Sequence, residues 1–140
     1  MRSGWLGKST SSPEETMQLG QKFSSYIEEG DVYALNGNLG TGKTTFIKGV
    51  LMGLNYSNIV TSPTFTLVNE YNSKFSIIHI DCYREASLDR WIKLGINDYM
   101  NEKNIVFIEW ADKIDSLLPS DTINLEFVYK NQLCRKIFIK

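Results

Sequence analysis

Apolar positions along the chain follow two rhythms. Leu19, Gly20, Phe23, Tyr26 and Ile27 recur at helical spacing, and Phe46, Ile47, Val50 and Leu51 do so again. Between them lie short continuous runs, Val32-Tyr33-Ala34-Leu35 and Ile105-Val106-Phe107-Ile108, with the composition of buried strands. Ser12-Pro13-Glu14-Glu15 opens the first helix, with Ser12 as N-cap, Pro13 in the first turn and Glu15 closing a capping box. Gly30 is read as its stop. Phe65, Leu67 and Val68 lead to Tyr71, and Phe75 to Ile80 follows the turn Asn72-Ser73-Lys74, so residues 64–80 read as a hairpin. Glu85 to Asp98 has a helical pattern interrupted at Gly95, and Ala111 to Leu118 is a short helix stopped by Pro119. Thr122 to Tyr129 and Leu133 to Ile139 alternate around Lys130-Asn131-Gln132, a terminal hairpin. Met1 to Ser11 is loose, or a short edge strand around Trp5 and Leu6. With no repeat or linker in 140 residues, the expectation is one domain of α/β layers with added antiparallel strands.

Composition narrows the class without naming a chemistry. Hydrophobic residues make up 42% and charged residues 22%, as in a globular protein, and the net charge of −1 gives no field that would hold nucleic acid by itself. Cys82 and Cys134 lack metal-ligand spacing and are read as reduced and structural. No apolar stretch reaches a membrane span, and Met1 to Ser12 does not resemble a signal peptide. The expected setting is the cytoplasm, with no membrane partner.

The joint between the strand at Val32–Leu35 and the helix around Phe46–Leu51 carries the chemistry. Gly37-Asn38-Leu39-Gly40-Thr41-Gly42-Lys43-Thr44 reads G-x-x-x-x-G-K-[ST], in the strand, loop and helix context that this phosphate-binding motif requires. Glycines let successive N–H groups turn inward as an anion nest, and the following helix aims its positive end at the same point. Lys43 supplies a mobile positive charge for the β/γ-phosphates, and the Thr44 hydroxyl is placed to ligate Mg²⁺.

Two carboxylates at strand ends are candidates to complete the site. Glu109 follows four apolar β-formers and is read as the Walker B acid, able to hold Mg²⁺ or position a water. Asp81 ends another apolar strand and either orients the attacking water or caps a helix near Glu85. His79, the single histidine, shares a sheet face with Asp81 and is read as a satisfied structural residue. Thr61-Ser62-Pro63-Thr64 is either a γ-phosphate sensor or a proline turn. Arg84 is a phosphate clamp or a surface arginine, and Trp110 is core by default.

Taken in order, GNLGTGKTTFIKG, SPTFTLVNEY, HIDCYR, LGINDY and FIEW resemble the TsaE (YjeE) family of bacterial ATPases required for tRNA threonylcarbamoyladenosine biosynthesis, over about Ser12 to Pro119. The resemblance implies a P-loop NTPase-like three-layer α/β/α fold with a mixed, mostly parallel central sheet and added antiparallel hairpins. It implies that Lys43 and the backbone of Asn38, Leu39, Gly40, Thr41, Gly42, Lys43, Thr44 and Thr45 hold ATP or ADP, and that Thr44 and Glu109 ligate Mg²⁺. Asp81 would serve hydrolysis, Thr64 a nucleotide-sensing switch, and Trp110 would lie beside the active site. Ser12 and Arg135 would approach the nucleotide. The family resembles a switch ATPase, weak alone, that acts on a TsaB–TsaD-type complex without itself transferring the threonylcarbamoyl group. Such a chain would be a monomer when free and would meet tRNA through its partners. A small P-loop kinase and a non-catalytic nucleotide-binding scaffold are the alternatives.

Overall fold

The computed structural model describes residues 7–38, 40–56, 67–85, 87–132 and 134–140. The expected segments at Trp5–Leu6 and Thr61–Thr64 lie outside the described residues, as do Leu39 and Leu133. One seven-stranded sheet organises the rest. In chain order its strands are β1 (Lys8–Thr10), β2 (Val32–Asn36), β3 (Val68–Asn72), β4 (Ser76–Asp81), β5 (Asn104–Glu109), β6 (Ile123–Asn131) and β7 (Cys134–Ile139). Across the sheet the order is β1-β7-β6-β2-β5-β4-β3. The inner four, β6, β2, β5 and β4, run parallel. β7 and β1 on one flank and β3 on the other are antiparallel.

Helices cover both faces, so the inner strands are apolar nearly throughout. On one face Tyr33, Leu35, Phe107 and Leu125 pack under α1 (Pro13–Phe23) and α2 (Lys43–Gly53) through Leu19, Phe23, Phe46 and Val50. On the other face Ala34, Ile78, Ile80, Val106 and Ile108 pack under α3 (Leu88–Lys93), α4 (Ile96–Tyr99) and a 3₁₀ segment, Ala111–Leu117, through Trp91, Ile96 and Ile114. The three-layer arrangement with a mixed sheet matches the sequence expectation.

Local chemistry explains most element ends, with several adjustments. Ser12 is the N-cap of α1, its hydroxyl accepting the Glu15 N–H at 3.1 Å. Glu15 does not return to Ser12 but to Ser11, accepting its N–H at 3.2 Å and its hydroxyl at 2.8 Å, because Ser11 offers two donors to one carboxylate. The helix stops at Phe23 and passes into a 3₁₀ turn, Ser24–Tyr26, so Gly30 is not its terminator. Gly30, at φ +91°, instead turns the chain into β2, donating to the Asn104 carbonyl at 3.0 Å. The helical stretch after Glu85 divides into α3 and α4 at Gly95, whose φ is +78°. α3 is capped by Ser87, which accepts the Arg90 N–H at 3.3 Å, so Asp81 is not that cap. An edge strand, β1, forms at Lys8–Thr10 beside β7, after the expected position at Trp5 and Leu6.

α1 and α2 touch through backbone. A Cβ on Gly20 would lie 2.2 Å from the Phe46 carbonyl oxygen, and one on Gly49 would lie 2.0 Å from the Met17 carbonyl oxygen. That approach fixes α1 beside the start of α2, which carries the site.

Candidate nucleotide-binding site

The site forms at the C-terminal ends of β2, β4 and β5, where a parallel sheet leaves a crevice. β2 ends at Asn36, and the loop returns at Gly42, whose φ of +96° only glycine adopts without strain. A Cβ at Gly42 would also lie 3.3 Å from the Thr16 methyl carbon. The first intrahelical bond of α2 runs from the Phe46 N–H to the Gly42 carbonyl at 2.9 Å. The N–H groups of Lys43, Thr44 and Thr45 therefore precede any helical acceptor, and all three residues line the cleft, which measures about 310 Å³.

Strand register brings the carboxylates to this loop. Asp81 and Glu109 are paired neighbours on β4 and β5. Each is only 4% exposed, and Lys43 only 5%. The Lys43 ammonium donates to the Gly37 carbonyl and lies 4.0 Å from the centre of the Trp110 ring. Burial lowers its pKa below the usual 10.5, and the nearby charges of Glu109, Asp81 and Asp112 oppose that shift. Thr44 Oγ1 lies 3.5 Å from Glu109 Oε2. Asp81 Oδ1 accepts the Tyr83 N–H at 2.8 Å, which fixes its carboxylate at the strand end.

His79 has a part in the site that sequence reading did not assign. Its Nε2 lies 2.6 Å from Glu109 Oε2, and the ring is fully buried. Nδ1 has no hydrogen-bond partner among the described residues, so the fitting tautomer carries the proton on Nε2 and donates it to Glu109. The signal was the period of two that sets His79 and Asp81 on one face. What it lacked was the register of β4 on β5, which seats both beside Glu109. Tyr83 joins for the same reason, lining the cleft with its ring 4.9 Å from that of Trp110.

The remaining predicted positions fall in different places. Gly40, Gly42, Lys43, Thr44, Thr45, Arg84, Trp110 and Arg135 line the cleft. Ser12 is committed to capping α1, while Pro13 and Thr16 of that helix line the cleft. Thr41 is buried, its hydroxyl donating to the Asn38 carbonyl at 2.7 Å, and both residues line a hollow on the opposite side of the loop. Leu39 and Thr64 lie outside the described residues. Cys82 is buried, and its thiol is pushed up to about 12, chiefly by desolvation.

The donor set suits a phosphate chain with a hard cation. A hydroxyl and carboxylates meet beside free helix N–H groups, as Mg²⁺ shared with phosphate requires. Among the described residues no group of three or more His, Cys, Asp or Glu could hold a metal without such a ligand.

A glycine loop joining a central parallel strand to a helix, with strand-end carboxylates across from it, makes this a P-loop NTPase-like protein. Within that class, the model of the family described as "Threonylcarbamoyl adenosine biosynthesis protein TsaE" matches residues 10–137. The tRNA threonylcarbamoyladenosine biosynthesis protein TsaE of Bacillus subtilis is 38% identical over 117 residues, covering 83% of this chain and 73% of the relative. The protein of the same name from Haemophilus influenzae is 39% identical over 119 residues, 81% of this chain and 75% of that one. The one from Aquifex aeolicus is 35% identical over 133 residues and 92% of each. The crystal structure of Bacillus subtilis YdiB superposes with a TM-score of 0.82 at 32% identity, covering 96% of this chain and 83% of the other. The chain belongs to the TsaE family, whose role is in tRNA threonylcarbamoyladenosine biosynthesis. Among the described residues no helix is long and apolar enough to cross a membrane.

Proposed function

We propose that the chain binds ATP and Mg²⁺ in this cleft, hydrolyses ATP weakly alone, and uses that cycle to keep a TsaB–TsaD-type complex turning over. The observation that carries the reading is the meeting of Lys43, Thr44, Asp81 and Glu109 in one cleft, with Thr44 and Glu109 3.5 Å apart. In this reading the N–H groups at the start of α2 and the Lys43 ammonium bind the phosphates. The Thr44 hydroxyl and Glu109 would hold Mg²⁺, which when bound offsets charge on the β- and γ-oxygens. Asp81, steadied by the Tyr83 N–H, orients a water for attack on the γ-phosphorus. The new P–O bond forms as the bond to the β–γ bridging oxygen breaks, releasing ADP and phosphate, with the water's proton passing to solvent or phosphate. Burial of Glu109 against His79 fixes the acid before any ligand arrives. A group supplied by the docked partner would raise the rate, as an added arginine does in other P-loop enzymes.

The test is tRNA modification by the partner proteins over many turnovers, with the chain added or omitted and ATP consumption followed in the same tubes. Modification that stalls after about one round without the chain, and resumes with the wild type but not with Glu109→Ala, is the expected result. Modification indifferent to the chain, while ATP is still consumed, refutes the role and directs attention to a phosphate acceptor.

A further inference from the structure

Several donors meet at one carbonyl of the glycine loop. Tyr129, on β6, donates its hydroxyl to the Gly40 oxygen at 2.6 Å. Arg135, on β7, donates Nε and Nη2 to the same oxygen at 3.2 and 3.1 Å. The guanidinium also lies 5.1 Å from the centre of the Tyr129 ring, so the two side chains brace one another. These residues lie 89 and 95 positions from Gly40 in the sequence and arrive there only because the terminal hairpin folds back along the loop. Neither the motif nor the periodicity points to Tyr129.

The pinned peptide is one that would otherwise turn easily. Gly40 has a φ of +76°, where glycine has its freedom, and the Thr41 N–H on the other side of that peptide is held by the Asn38 carbonyl at 3.3 Å. Tyr129 lines the hollows outside the nucleotide cleft, whereas Gly40 and Arg135 line the cleft itself. A carbonyl swung toward bound phosphate would set its lone pairs against the anion. We propose that Tyr129, together with Arg135, is a positioning pair that fixes the Gly40 carbonyl and so holds the loop in its anion-accepting shape. The proposal rests on the nucleotide reading above. Its geometry also leaves little room at the apex, where a Cβ on Gly40 would lie 2.9 Å from the Tyr129 hydroxyl.

Tyr129→Phe removes the hydroxyl and keeps the ring under Arg135. Tyr129 is 44% exposed, so the variant is expected to fold as the wild type does. Val128→Ala, at a neighbouring exposed position on β6, controls for general disturbance of the hairpin. Two measurements are made on the full chain: amide exchange at Gly40 and Thr41 without ligand, and affinity for ADP with Mg²⁺. Losing one hydrogen bond to a neutral carbonyl should weaken ADP binding about threefold to tenfold in Tyr129→Phe. Exchange at the two amides should quicken, the melting temperature should hold, and Val128→Ala should match the wild type. Wild-type exchange and ADP affinity in Tyr129→Phe, or an equal loss in Val128→Ala, overturns the proposal. Quicker exchange with wild-type affinity overturns the link to phosphate. A wild-type chain that binds no ADP overturns the nucleotide reading itself, while the exchange result still reports on the carbonyl contact.

Discussion

Gly49→Ala probes the contact that sets α1 against the start of α2. The added Cβ would sit 2.0 Å from the Met17 carbonyl oxygen and 2.8 Å from its carbon. Restoring an ordinary contact of about 3.4 Å requires the helices to part by about 1.4 Å. The obstacle is backbone, so no side-chain rotation relieves it. Parting the helices loosens the packing of Leu19, Phe23, Phe46 and Val50, all in one buried cluster. Overpacking of this kind costs about 1–3 kcal/mol, and the severity of the clash places it near the top of that range. Alanine in place of glycine inside a helix returns about 1 kcal/mol. The net expectation is a loss of about 2 kcal/mol, or about 8 °C in melting temperature for a chain this size. Urea unfolding and a thermal scan measure it, with Met52→Ala on the exposed side of the same helix as reference. Because α1 also carries Pro13 and Thr16 into the cleft, ADP affinity should fall in the folded variant. A Gly49→Ala protein as stable as the wild type, or more so, would refute the argument, since only the propensity gain would then be felt.

Further expectations concern individual groups. His79→Phe removes the donor to the buried Glu109 carboxylate and should lower stability by about 2 kcal/mol in urea unfolding, and His79→Gln should lose less. Burial holds the Lys43 pKa below 10.5 in the free protein, and bound phosphate raises it again. ADP binding should therefore take up protons, and affinity should fall as pH rises through the lowered pKa, as calorimetry in buffers of different ionisation enthalpy can read. For the same reason the buried ammonium costs folding stability below that pKa, and the cost fades as pH rises toward 10.5. In native protein at pH 8 a thiol reagent should label the half-buried Cys134 and spare Cys82, whose pKa of about 12 keeps it protonated.

The loop motif and the strand ends were readable because their chemistry is local. Gly37 to Thr44 needs only a strand before it and a helix after it, and Ile105–Ile108 needed only its own apolar run to be placed in the sheet's interior. The hairpins were legible too, as β3–β4 and β6–β7. Sheet order was not. Alternation in residues 123–131 marks a strand but carries nothing about its pairing with β2, which register and burial decide after the chain has collapsed. The same gap hid His79, Tyr83 and Tyr129, whose partners lie across strand or loop boundaries. Trp91 shows the converse. Charged neighbours, Arg90 and Lys93, make its helix look like a surface element, yet the indole is fully buried and donates to the Glu85 carbonyl at 2.8 Å.

The position of β6 also governs when the protein can work during its own synthesis. β2, which carries the glycine loop, needs β5 on one side and β6 on the other, and β6 is followed directly by β7, the partner of β1. A nascent chain that has made the loop, the lysine and both carboxylates still has an open edge along β2. The pairing of Lys8 with Ile137 joins the first strand of the sheet to the last in one ladder. Folding of the sheet is thereby delayed until β7 has left the ribosome, and the predominance of long-range contacts makes that last step slow. A truncated product would hold every residue of the phosphate-binding motif and no finished sheet on which to mount it.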